Sequence, residues 1–488
     1  MSASFLRTRR TAVTVAASAL ALVLAACGSQ LDPLDVAAAG GMSSGGVAGE
    51  AGVPGVDSGT GTTGSIGGTG TTGGAGSSGG TTGSTGTTGS GGSTGTTGST
   101  SGEGQNAPDG GVQAGGCDGF KNQTGITDST IKIGNSSDVN GPVPGIFESA
   151  QDGTRAFAAY FNASNDICGR KLEVVNLDSR ADAGADQQAY ARMCDSVFAA
   201  VGSMSAFDQG GAATAESCGL PDIRSTSVTS DRRACSTCFG AQPVDPMLHP
   251  NAVSRFIKAN YGTRTALYYV DVQAAEESAM TYRSVWERNG LDVAIYKGID
   301  VSEFNYAPYV QEMKDAGIEN VLYTGPYQNT VKLLQAMQQQ GFEPKVYFQD
   351  ATIYDSRFVE QAGENGNGVL AFLYHDVFSN TSNPEMQLYL GWLQQVKPGA
   401  EPTAYGLYAW SAARLFVEEA TKLGGKLTRA SLVNALKGVK GWTSHGLHGP
   451  ADVGATVTSE CVRFVELDGG QWKQVSPGDY QCQGLGRR

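Results

Sequence analysis

Short apolar runs alternate with stretches of helical period along residues 131–373, and few architectures accept that alternation. The strand-like runs fall at 131–134, 172–177, 199–202 and from 221. After Pro250 they resume at 266–270, 293–296, 321–323, 346–348 and 369–373. Helical patterns occupy 147–161, 185–198 and 211–218 in the first series, and 275–288, 308–316 and 330–340 in the second. Strand and helix alternating at this spacing imply parallel sheets covered by helices on both faces. The rhythm breaks at 243–250, and the region 117–488, about 370 residues, exceeds what one core holds. The fold class expected is therefore α/β, with two doubly wound parallel-sheet lobes. Ligands of open sheets sit beyond the carboxyl ends of the strands. Two facing lobes thus place two sets of loops across one cleft, and hinge closure over a small ligand is the usual use of that geometry.

The chain ahead of this region reads differently. Arg7, Arg9 and Arg10 precede an apolar, Ala-rich run at 11–26 that ends in Leu24-Ala25-Ala26-Cys27. The charged start and short apolar core mark 1–26 as an export signal. The run before Cys27 looks like a bacterial lipobox, which makes Cys27 the expected lipidation site and the lipid the expected anchor. Residues 27–116 are dominated by Gly, Ser and Thr and bury too little apolar surface to offset their conformational entropy. They are expected to form a disordered tether that spans about 50 Å as a flexible coil. The localisation expected is extracytoplasmic, lipid-anchored to a bacterial cell membrane. The formal charge is −13, and loss of the three signal arginines leaves −16. With no Lys/Arg cluster outside the signal, nucleic acid is not an expected partner.

Cysteine usage agrees with export. Of nine cysteines, eight follow Cys27, which allows up to four disulfides in an oxidising compartment. Cys461 and Cys482 flank a terminal hairpin at 462–475, turned at Asp468-Gly469-Gly470, and are candidates to pair. Cys235-Ser236-Thr237-Cys238 is followed by residues 239–243, which read as loop. A redox motif needs a helix opening there, so a local structural disulfide is favoured. Cys117, Cys168, Cys194 and Cys218 cannot be paired by arithmetic.

Several segments together resemble a known family. Gly125-Ile126-Thr127-Asp128 leads into Ile131-Lys132-Ile133-Gly134 and Asn140-Gly141-Pro142-Val143. Cys168-Gly169-Arg170-Lys171-Leu172-Glu173-Val174 with Asp178, then Phe198-Ala199-Ala200-Val201-Gly202, follow in order. Ile318-Glu319-Asn320-Val321-Leu322-Tyr323-Thr324-Gly325 and Ala404-Tyr405-Gly406-Leu407-Tyr408-Ala409-Trp410 complete the series. In order and spacing these are similar to the leucine/isoleucine/valine-binding and amide-binding receptors of ABC importers. The resemblance implies a type I periplasmic-binding fold with a three-crossing hinge. It implies a first lobe of 117–243 and 377–450, and a second of 244–376 with 451–488 as a hairpin on it. It also implies partners: a small-molecule ligand, an ABC permease pair and two cytoplasmic ATPases, with the receptor acting as a monomer. A sensor of the same fold reporting to a membrane kinase is the alternative.

The resemblance places ligand contacts at particular residues. Ser205 and Ala206 fall in the loop that holds a ligand carboxylate, although Ser205 or Asp208 capping the next helix would explain the same residues. Thr226, Ser227 and Thr229 form a hydroxyl cluster after the fourth strand that could serve the same anion. Tyr327 matches an aromatic contact. Asp350 falls where an acidic residue meets the ligand's ammonium. Phe147, beside Ile146, would close the side-chain end. Met204-Ser205-Ala206 lacks the usual run of small hydroxyl residues, and Arg224 stands where a small residue is common and could itself meet an anion. A branched-chain amino acid, an amide, a urea-like molecule and an aromatic acid all stay open. No Gly-x-Ser-x-Gly elbow, His-Glu-x-x-His or phosphate loop occurs. Of the four histidines, His445 and His448 have a spacing metals use, but sit in a Gly-rich turn. No catalytic residue, metal or cofactor is expected.

Overall fold

The computed structural model describes residues 112–488. The signal, Cys27 and residues 27–111 of the tether lie outside them. The described chain opens with β1 (Thr130–Ser137), α1 (Glu148–Ser164), β2 (Lys171–Asp178), α2 (Ala183–Ser196) and β3 (Ala199–Val201). It continues through α3 (Gln209–Ser217), β4 (Asp222–Thr226), the short α4 (Ser230–Ala234) and β5 (Cys238–Gln242). These five strands form one parallel sheet in the order β2-β1-β3-β4-β5. Central strands β3 and β4 are buried on both faces, while edge strand β2 exposes Lys171 and leaves Glu173 partly exposed.

A second series follows: β6 (Leu248–Pro250), α5 (Asn251–Asn260), β7 (Arg264–Val270), α6 (Gln273–Arg288), β8 (Asp292–Ile299), α7 (Ala307–Asp315), β9 (Asn320–Thr324), α8 (Tyr327–Gln339), β10 (Val346–Gln349), α9 (Ser356–Ala362) and β11 (Leu370–Leu373). Strands β8-β7-β9-β10-β11 repeat the first sheet's winding order, all parallel. The chain then returns to the first core with α10 (Pro384–Val396) and α11 (Ala404–Leu423). Helix α11 is buried over nearly its whole surface, as an apolar helix wedged into a core must be. It crosses α1 so closely that a Cβ on Gly153 would strike the Gly406 carbonyl. Two hydrogen atoms in place of side chains therefore set that helix spacing.

The last crossing delivers β12 (Cys461–Asp468) antiparallel to β11, with β13 (Gln471–Gln474) beside it. Gly469 and Gly470 turn this hairpin with φ of +59° and +75°, conformations that a two-residue turn requires and glycine alone adopts freely. Strand β14 (Gln481–Cys482) pairs β12, and β15 (Leu485–Arg487) pairs β6 beside the first crossing. Three passages, after Gln242, after Leu373 and before Cys461, therefore join two sheets with separate cores.

One segment departs from the sequence reading. Residues 239–243 read as loop, yet Cys238–Gln242 is β5, fully buried and parallel to β4. Gly240 and Ala241 give the segment little strand propensity, and pairing with a buried central strand overrides it. The structure joins Cys235 to Cys238 and Cys461 to Cys482, and also Cys117 to Cys168 and Cys194 to Cys218. Among the described residues no helix is long and apolar enough to cross a membrane.

Thiol labelling of the denatured, unreduced protein checks the pairing. No adduct is expected on any of the eight cysteines from Cys117 to Cys482, whereas two or more adducts there would contradict it.

Candidate functional site

In each sheet the winding order reverses once, between β1 and β3 and between β7 and β9. Loops leaving adjacent strands part at such a point and open a crevice at the carboxyl ends. The two crevices face each other here, and between them lies a cavity of about 180 Å³, room for roughly a dozen waters. The first lobe contributes Asp138, Val143, Ile146 and Phe147 after β1, Met204, Ala206 and Phe207 after β3, and Val228 after β4. The second contributes Val272, Ala274 and Ala275 after β7, Gly325 and Pro326 after β9, and Asp350 and Thr352 after β10. Tyr282 of α6 and Tyr405 of α11 complete a mostly apolar wall.

Asp138 is the residue that holds the first-lobe loops together. Its Oδ1 accepts from Ser179 Oγ at 2.6 Å and Ala181 N–H at 3.0 Å, and its Oδ2 from Ala206 N–H at 2.9 Å. Its own carbonyl accepts from Phe147 N–H at 3.1 Å. One side chain thus ties the loops after β1, β2 and β3. Burial pushes its carboxyl above the usual range, and the hydrogen bonds pull against that rise.

Asp350 shapes the opposite wall. Its Oδ1 accepts from Thr352 N–H at 2.9 Å and so caps the turn Ala351–Ile353. Burial raises its carboxyl, opposed by the two hydrogen bonds from Thr352. Thr352 Oγ1 lies 3.0 Å from Tyr405 Oη, and the Tyr405 ring meets Phe147 edge-on at 4.7 Å. Further contacts cross the cleft. Ser230 donates from N–H and Oγ to Glu277 at 2.9 and 2.8 Å, and Arg357 Nη1 donates to the Gly145 carbonyl at 3.3 Å.

Of the residues singled out in the sequence, Phe147, Ala206 and Asp350 meet on this cavity wall. Thr226 lines an adjoining chamber. Ser205, Ser227, Thr229 and Tyr327 are buried and absent from that wall. Ser205 Oγ accepts from Phe207 N–H at 3.0 Å. Thr229 caps α4 and donates to Asp208 Oδ1 at 2.6 Å. Tyr327 opens α8 beneath the Arg357 guanidinium. Asp138, Thr352 and Tyr405 were not singled out for the site. An acid directly after the buried run Asn135-Ser136-Ser137 was the available signal for the first.

Arg224 does not reach the cleft. It lies fully buried with Arg232, Asp186, Asp208, Asp222 and Tyr190. Arg232 bonds Asp222 Oδ2 at 2.9 Å and Asp186 Oδ2 at 3.0 Å. Asp208 in turn accepts from Val228 N–H at 2.9 Å and from Thr229, so the network fixes the loop after β4. The Val228 amide and the Thr229 hydroxyl are thus engaged in scaffold. Burial pushes the Asp186 carboxyl up to about 6, against the pull of Arg232 and Arg224.

Comparison with known proteins places the fold. A family model described as periplasmic binding protein matches residues 130–471. The leucine-, isoleucine-, valine-, threonine- and alanine-binding protein of Pseudomonas aeruginosa is 26% identical over 254 residues, 50% of this chain. The match spans 66% of that relative's length, just under two thirds. A branched-chain amino acid transporter substrate-binding protein from Streptococcus pneumoniae, solved with isoleucine, is 16% identical with a TM-score of 0.62, covering 72% of this chain and 100% of that one. A Rhodopseudomonas palustris solute-binding protein solved with p-hydroxybenzoic acid is 18% identical with a TM-score of 0.63, covering 73% and 98%. At such identities the likeness is one of fold.

The Asp186 carboxyl sets a pH signature. Because its folded value is raised to about 6, the stability it contributes is full below the unfolded carboxylate range near ~4 and is lost as pH rises through about 6. The melting temperature of the wild type relative to Asp186→Asn is therefore expected to fall between pH 4 and 6.5 and level off above. A flat or rising difference across that window would remove the assignment.

Proposed function

The chain belongs to the periplasmic binding protein family, and on that premise we propose that it is the extracytoplasmic receptor of an ABC importer. The receptor captures a small solute between its lobes and presents the closed form to a permease driven by two ATPases. Acylated Cys27 and the tether hold the monomer at the membrane while leaving it free to reach the transporter.

The observation that carries this reading is the cavity held between two facing strand-end crevices, with the Asp350 carboxylate on its wall. The cross-cleft bonds of Ser230 with Glu277, Arg357 with Gly145 and Thr352 with Tyr405 support closure over a ligand. Hinge bending at the three passages would break them together and open the cleft. The apolar wall suits the apolar body of an amino acid or a compound like one, and the amino-acid-binding relative from Pseudomonas agrees with that class. Asp350 would meet the solute's positively charged nitrogen, a pairing strengthened by exclusion of water.

The protein, refolded from denaturant to release carried-over ligand, is expected to show a saturable rise in melting temperature with one chemical class among amino acids, amides, amines and aromatic acids. Binding to the folded state alone adds ~2.7 kcal/mol at a hundred times the dissociation constant. No shift across the whole panel would sink the receptor reading. Asp350→Asn keeps the cap on Thr352, so its unliganded melting temperature should hold while affinity for the nitrogen-bearing ligand drops tenfold or more, at least ~1.4 kcal/mol. Unchanged affinity would take Asp350 out of the site.

A further inference from the structure

Behind the cleft cavity a second chamber of about 120 Å³ opens toward the hinge passages. Val228, Ser278, Tyr282, Asp350 and Tyr405 belong to the walls of both, so the two spaces adjoin. The inner wall carries Gln242, 2% exposed, whose amide oxygen and nitrogen both lack a hydrogen-bond partner among the described residues. The Tyr408 hydroxyl and His249 Nε2 on the same wall are likewise unpartnered there. Native proteins keep such buried atoms rare, and four of them on one chamber point to a partner that the chain does not itself supply.

The charge of the walls narrows that partner. Neither space is lined by a lysine or an arginine, while Asp138 and Asp350 both face the outer one. The third acid, Asp245 of the inner wall, is paired with Arg233 at 3.0 Å. His249 adds no positive charge, because burial drops its pKa to about 3. The backbone donors of the loops lining the cleft are engaged inside the protein, which leaves an anion only the neutral Gln242 amide nitrogen and Tyr408 hydroxyl of the inner wall. Ala206 N–H gives to Asp138 and Phe207 N–H to Ser205 Oγ, while Val228 N–H gives to Asp208 and Thr352 N–H to Asp350. A ligand carboxylate would bring a further negative charge into a desolvated space beside two acids. A cationic nitrogen would find the Asp350 carboxylate and the unpartnered Gln242 oxygen.

We propose that the solute is an organic ammonium ion with an apolar body and no carboxylate, its nitrogen donating to Asp350 and to the Gln242 amide oxygen. The apolar body lies in the outer cavity among Val143, Ile146, Phe147 and Met204. This assignment rests on the receptor reading of the same cleft and replaces the amino-acid end of its ligand range with the amine end.

Calorimetric titration of the ligand-stripped protein with matched solutes tests it. One set shares a branched C5 body: 3-methylbutylamine, leucine, 4-methylpentanoate and 4-methylpentanamide. A second pairs 2-phenylethylamine with phenylalanine, and a third pairs butylamine with norvaline. In the set whose body fits, the amine is expected to bind at least tenfold more tightly than its amino acid, and the carboxylate not at all. An amino acid, carboxylate or neutral amide that binds as tightly as its amine overturns the ammonium assignment and leaves the receptor reading standing. No binding by any member overturns both. In Gln242→Leu the unliganded melting temperature should hold or rise, since an unpaired buried amide is removed, while amine affinity falls tenfold or more. Unchanged affinity overturns the placement of the nitrogen in the inner chamber.

Discussion

The cleft depends on one carboxylate. Asp138 collects donors from the loops after β2 and β3 and, through its own backbone, fixes the start of the loop that carries Phe147. A buried acid is unfavourable by itself, which is why its carboxyl is raised. Each hydrogen bond to a charged acceptor returns roughly 1.5–3 kcal/mol. Three of them make the site tolerable and make the loops inseparable. Removing the acid would leave the Ala206 and Ala181 N–H groups without their partner at the point where the sheet divides.

A second layer of charge stands behind the first. Asp186, Asp208 and Asp222 share two fully buried arginines, and Asp208 reaches forward to grip the loop after β4. Breaking one partner of such a cluster strands another, so the loop is held by groups that cannot easily be given up. The consequence for binding is indirect. The Ser205 and Thr229 hydroxyls and the Ala206, Phe207 and Val228 amides, which the loops might offer to a ligand, are bonded into the protein, and the wall they leave toward the cleft is apolar apart from its acids.

The second lobe presents its crevice with little of this bracing. Asp350 caps a single short turn and otherwise faces the cavity, and Tyr405 reaches across from α11 to meet Thr352. The aromatic contact of Tyr405 with Phe147, of order 1 kcal/mol, joins the long buried helix to the loop after β1. The lobes thus meet at the mouth through a handful of polar contacts, and each packs around its own core. That division lets a hinge move without disturbing either sheet.

The alternation of strands and helices, the break near Pro250 and the terminal hairpin at Gly469-Gly470 were legible in the sequence, since each is written in local periodicity or turn chemistry. Phe147, Ala206 and Asp350 could be singled out because they follow strand ends in segments with a recognisable order. Strand β5 was not, because Gly240 and Ala241 carry weak local preference and the strand exists through its pairing with β4. Nor could the sequence say that Ala206 gives its N–H to an acid 68 residues earlier, or that Arg224 turns inward to Asp208 and Asp222. Local pattern determined which segments became strands, helices and turns. Tertiary structure alone decided which polar groups are satisfied within the protein and which, like the Gln242 amide, face the cleft unpaired, because hydrogen-bond satisfaction is settled between residues that only the folded chain brings together.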